Sequence, residues 1–174
     1  RIPGQSSEPH PEGQTAAKPP PQPPDIRPTL APGKDVSGHA ALPPKVKKLN
    51  LTELVEQGGL NVSVNVPGVS DSNRAFDEDP ETLSKSEGFN PFVFTFEFPA
   101  AISLKALKVL STYSDFGVAV EVDGGSRLVV DTMIDGEWAT LAWPEGVKTK
   151  RIKVEVLRKL RDNFVHVNEI ELYQ

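Results

Sequence analysis

In FVFTFEF, Phe92, Phe94, Phe96 and Phe98 occupy alternate positions with Val93, Thr95 and Glu97 between them. That period of two is the pattern of a strand with one buried face. GVAVEVDGGSRLVV repeats it through Val118, Val120 and Val122, turns at Asp123-Gly124-Gly125 and re-enters at Leu128, which predicts a hairpin. RIKVEVL places Ile152, Val154 and Val156 on one face, and FVHVNEIELY alternates too, with a phase shift near Asn168 that predicts a bulge. SLKALKVL is ambiguous, because Leu104, Leu107 and Val109 fit a helix and a strand alike. NLTELVEQGG predicts a short helix, with Asn50 as N-cap, Glu53 in the capping-box position and Gly58-Gly59 as its stop. Short strands separated by turns point to an antiparallel β-sandwich.

The sandwich does not extend over the whole chain. Twelve of the 17 prolines precede Lys45, in text such as KPPPQPPDIRP that holds few apolar side chains. Residues 1–48 therefore read as a flexible Pro-rich linker that cannot offset its ordering entropy by burial. In a polyproline conformation at about 3.1 Å per residue, such an arm would reach roughly 140 Å. Residues 49–174 read as a single all-β domain, long enough to bury one core.

Charge narrows the partners. Residues 1–48 carry seven basic and four acidic side chains, whereas the folded part carries twelve basic and twenty acidic ones. An acidic surface does not neutralise phosphates, so nucleic acid is excluded as an expected partner. The absence of cysteine removes disulfides, thiolate metal sites and cysteine nucleophiles. No run approaches the roughly 18 apolar residues of a membrane helix. The chain opens on Arg1, which reads as the start of a processed or trimmed segment. Two sequons, at Asn50 and Asn61, carry meaning only in a glycosylating pathway.

The acidic stretch NRAFDEDPETLSKS crowds Asp77, Glu78, Asp79 and Glu81 around one proline. After it come NPFVFTFEFPAAISLKALKVL, DGEWATL, KRIKVEVL and a closing NEIELY. This order of landmarks resembles the discoidin, or F5/8 type C, family and the carbohydrate-binding modules that share its galactose-binding-like jelly-roll sandwich. Ala75, Asp77, Asp79, Thr82, Pro99 and Glu169 sit in places matching the family's A-x-D-G-D-x-x-T-x-W opening, its proline-containing turn and its final strand. Glu78 stands where a glycine is usual, and Leu83 near where a tryptophan is expected. The resemblance implies a structural calcium (Ca2+) held by Asp77, Asp79, Thr82 and Glu169, a hard-oxygen donor set suited to that ion. The open alternative is a metal-free turn in which Asp77 and Asp79 accept backbone hydrogen bonds.

The family binds ligands on loops at one end of the sandwich, and sugar sites need aromatic faces with a few fixed polar groups. Tyr113 and Phe116 in STYSDFG, and Arg161, Asn163 and Phe164 in RKLRDNF, are the ligand-binding candidates, each weighed against a role in plugging the sandwich end. Trp138 is expected against the sheet, as in the family, while Trp143 could face either way. His166 is the only histidine in the folded part, between Val165 and Val167, and there is no nucleophile elbow, phosphate loop or dinucleotide fingerprint. The expectation is a non-catalytic module that binds a glycan or glycoconjugate outside the cytoplasm of a bacterium. The alternative is a structural domain that contacts another envelope protein.

Overall fold

A computed structural model describes residues 29–69, 71–112, 115–123, 125–134, 136–159 and 164–174. The alternating segments form the strands β2 (Asn61–Val64), β4 (Phe92–Leu110), β5 (Phe116–Val122), β6 (Arg127–Met133), β7 (Trp138–Arg158) and β9 (Glu169–Tyr173). With a two-residue β1 (Lys34–Asp35) they make one sheet in the order β1-β6-β5-β7-β4-β2, with β9 also on β4. β3 (Ser84–Lys85) and β8 (His166–Val167) pair separately.

The long antiparallel pair β4 and β7 bends this sheet into a sandwich. Their register slips between Glu97 and Ile102 and again between Leu104 and Ala106. Pro99, which has no N–H to give a ladder, lies in the first gap. Before the bend β4 lies beside β7 and β2; after it, Leu107 and Val109 lie between Leu141 and Ala139 of β7 and Leu172 and Ile170 of β9. The phenylalanine stripe faces inward: Phe92, Phe94 and Phe96 are fully buried, and Phe76 meets Phe96 edge-on at 6.1 Å. SLKALKVL is strand, so its ambiguity resolves as the second half of β4.

The helix α1 (Leu51–Glu56) forms where expected, with Asn50 Oδ1 accepting the Glu53 N–H at 2.9 Å. The Glu53 carboxylate accepts from the Gln57 side chain instead of closing a capping box. Gly58, at φ 71°, ends the helix in the left-handed conformation.

Trp138 departs from its expected place, and Trp143, open in the sequence, is resolved. Trp143 packs against the core, whereas Trp138 is half-buried on the outer face, with the Lys108 ammonium 4.1 Å from its ring centroid. The arm also differs from expectation. Residues 29–48 are not a free linker, because β1 runs parallel to β6 and Lys48 bridges Tyr173. Residues 1–28 lie outside the described residues.

Candidate functional site

Register places several loops at one end of the sandwich. Phe92 pairs with Val156, Phe116 with both Arg158 and Met133, and Val64 with Phe94. The described residues flanking these strand ends, 65–69, 71, 86–91, 111–112, 115, 134, 136–137, 159 and 164–165, therefore gather there. Leu110, paired with Glu169, brings the acidic stretch to the same end.

That stretch is held from below by a 3-10 turn, Ser72–Phe76, which buries Ala75 and Phe76. Glu78 has φ 66°, the left-handed conformation that favours the glycine usual at this place. Around Thr82 Oγ1 lie Asp77 Oδ1 and Oδ2 at 3.0 and 2.9 Å, the Asp79 carbonyl at 3.0 Å and the Arg74 carbonyl at 3.3 Å. A hydroxyl has one proton and donates once, so this crowd of acceptors is not satisfied by Thr82 alone. Glu169 arrives from β9 only 3% exposed, accepting the Glu78 N–H while its Oε2 has no hydrogen-bond partner. Burial, and then the charges of Asp77 and Glu171, push its carboxyl up to about 8.

The Asp77 carboxylate, the Thr82 hydroxyl, the Asp79 and Arg74 carbonyls and the buried Glu169 carboxylate, whose Oε2 is the orphaned atom, are oxygens of the kind a hard cation takes. Among the described residues there is no group of three or more His, Cys, Asp or Glu side chains able to hold a metal, so neutral oxygens would have to supply much of the coordination. Both aspartates make the backbone hydrogen bonds of the metal-free alternative, Asp77 Oδ1 accepting the Asp79 N–H at 3.1 Å, and Asp79 departs from the side-chain ligand role that the resemblance implied. Its exposed carboxylate accepts the Glu81 N–H at 3.0 Å, an Asx turn, and it faces Thr82 through its carbonyl. Arg74 contributes only a backbone oxygen, for which the sequence carries no side-chain signal.

Asn168 holds the loop in place. Its Nδ2 donates to the Pro80 and Thr82 carbonyls at 3.0 and 3.2 Å, and its Oδ1 accepts from Thr112 Oγ1 at 2.8 Å. The phase shift expected here is the point at which the chain leaves β3 and joins β4. Lys48 adds an outer tie, with Nζ 3.3 Å from Glu78 and 3.6 Å from Glu171.

The ligand-binding candidates divide. Tyr113, Arg161 and Asn163 lie outside the described residues. Phe116 is a core residue at 1% exposure, because β5 begins at Phe116 itself and points that side chain inward. Phe164 is 51% exposed, and Phe89, which the sequence reading passed over, is 41% exposed. With Ile134, they are three of the five exposed large hydrophobics among the described residues, all at this end.

The loops carrying the two rings are pinned together. Asn90 Oδ1 accepts the Arg158 N–H at 3.0 Å while its Nδ2 donates to the Arg158 carbonyl at 2.9 Å. Ser86 and Val165 exchange two hydrogen bonds, and Arg158 Nη1 donates to the Phe164 carbonyl at 3.0 Å. Glu87, two residues before Phe89, lines a recess of about 290 Å³ with Pro67, Gly68, Val69 and Asp71. The arrangement leaves two rings partly exposed on loops tied by hydrogen bonds, with the Glu87 carboxylate two residues from Phe89.

No protein-family model matches the sequence, and no curated protein matches it. Solved structures do. A family 32 carbohydrate-binding module from C. perfringens NanJ, in complex with galactose, superposes with a TM-score of 0.53 at 12% identity, covering 74% of this chain and 99% of that one. The module CpGH89CBM32-5 from Clostridium perfringens, in complex with GalNAc-beta-1,3-galactose, gives 0.52 at 16% identity, over 74% of this chain and 100% of that one. The lectin binding domain of Lectinolysin, complexed with Lewis b, gives 0.50 at 14% identity, over 67% and 92%. With its bent β4–β7 pair, its acidic entry loop and these neighbours, the chain has the discoidin, or galactose-binding-like, β-sandwich fold.

Proposed function

We propose that the protein is a non-catalytic module that binds a glycan or glycoconjugate at the loop end bearing Phe89 and Phe164, outside the cytoplasm of a bacterium. The observation that carries this reading is the pair of exposed rings on loops locked by Asn90, Ser86 and Arg158. The apolar side of a pyranose packs on such rings, and nearby carboxylates and amides take its hydroxyls. The neighbours' bound galactose, GalNAc-containing disaccharide and Lewis b support this ligand class. Among the described residues no helix is long and apolar enough to cross a membrane.

Calcium would brace this end. Asp77, Thr82 and Glu169 would hold it with side-chain oxygens, and Arg74 and Asp79 with carbonyls. It would tie the entry loop to the last strand. A glycan array with the unaltered protein and Phe164→Ala tests the binding. Capture of galactose- or GalNAc-terminated glycans that Phe164→Ala abolishes supports the reading; no capture across a broad array favours a structural, protein-contacting domain.

A further inference from the structure

Sheet edges carry unpaired N–H and C=O groups that invite another chain. Three edges of this sandwich are occupied by one segment, residues 29–48. At β6, Lys34 and Asp35 lie beside Leu128 and Val129, and the Val36 N–H donates to the Val129 carbonyl at 2.8 Å. At the free side of β7, Thr140 receives from Ala40 and donates to Gly38. At β9, Lys47 and Gln174 exchange two hydrogen bonds at 2.8 and 3.0 Å.

The segment is fitted closely but attached mainly through backbone. A Cβ at Gly38 would come within 2.5 Å of Val130 Cγ1 and 2.7 Å of Met133 Sδ, at φ 73°. Arg127 spends Nη1 and Nη2 on Glu155 at 3.1 and 2.8 Å, and its Nε donates to the Ala31 carbonyl at 3.2 Å. Most side chains from Ala31 to Lys48 remain exposed or half-exposed, and Val36 packs against the core only in part. Removing the segment would thus open edges without emptying the core.

We infer that residues 29–48 are a detachable clasp that shields these edges from strand addition by a second copy of the chain, with Gly38 and Arg127 as its catches. Hydrogen exchange and sedimentation of the full chain test this. The unaltered protein is expected to be monomeric, with the Val36, Ala40 and Lys47 amides exchanging at least about 100-fold more slowly than in an unstructured chain. Gly38→Ala is expected to speed exchange at Val36 and Ala40 at least about tenfold, leave the β5 amides unchanged and produce a concentration-dependent dimer. Arg127→Lys keeps a cation for Glu155 and loses the bond to Ala31, so it repeats the test if Gly38→Ala does not fold. Unprotected amides in the unaltered protein, equal loss of protection in β5, unchanged exchange in both variants, or release without dimerisation would each overturn the clasp.

Discussion

Glu169→Gln separates the charge of the oxygen cluster from its shape. In metal-free protein the Glu169 carboxyl is raised from 4.5 to about 8 by burial and by Asp77 and Glu171. Below pH 4.5 it is protonated folded and unfolded, and its contribution to stability is fully present. As pH rises toward 8, the unfolded chain has released the proton and the folded chain still holds it, so stability falls and then levels off. At about 1.4 kcal/mol per pH unit the ceiling is about 5 kcal/mol, and water entry and relaxation reduce the expected loss to about 2 to 3 kcal/mol. Glutamine cannot ionise, so chelator-treated Glu169→Gln is expected to show a nearly flat profile over this range and to be the more stable protein at pH 8. Calcium, bound as proposed, is expected to offset this loss: at 100 times its dissociation constant it would add about 2.7 kcal/mol to the unaltered protein, with release of a proton near neutral pH, and little to the variant. Urea unfolding at several pH values, with calcium and with chelator, measures all of this. Parallel pH profiles, or equal calcium stabilisation of both proteins, would refute the reasoning.

Phe116→Ala is expected to destabilise the fold by about 3 to 5 kcal/mol in urea unfolding, because the buried ring leaves a cavity in the core. Asn168→Ala strands the Pro80 and Thr82 carbonyls and is expected to cost about 2 to 3 kcal/mol in the same assay. Asp77→Asn is expected to weaken calcium binding in calorimetry by about tenfold or more, and Asp79→Asn by much less, since Asp79 faces the cluster through its carbonyl.

The first half of β4 was legible because it buries one face and so alternates, whereas β5, buried on both faces, alternates only in side-chain size. Legibility failed where backbone geometry, with no side-chain signature, decides the outcome. SLKALKVL loses its period because the slip between Leu104 and Ala106 changes which positions face inward. The clasp carries little apolar periodicity because backbone hydrogen bonds hold it, so it read as linker. Phe116 looked like a loop residue beside Asp115 and Gly117, yet β5 starts on it. Phe89 left one trace, falling out of phase with Phe92, Phe94 and Phe96 in a turn-like EGFNP. The acidic stretch was legible as a unit; which of its oxygens turn inward depends on the Asx turn at Asp79 and on Glu169, distant in sequence.

Titration of isotopically labelled protein with a galactose-terminated oligosaccharide, followed by NMR, tests the central claim most directly. The account predicts saturable shifts concentrated on the aromatic resonances of Phe89 and Phe164 and the amides of residues 86–90 and 164–165, with Phe116 and the clasp unmoved. Shifts confined to another surface, or none at millimolar ligand across galactose- and GalNAc-terminated probes, would contradict it.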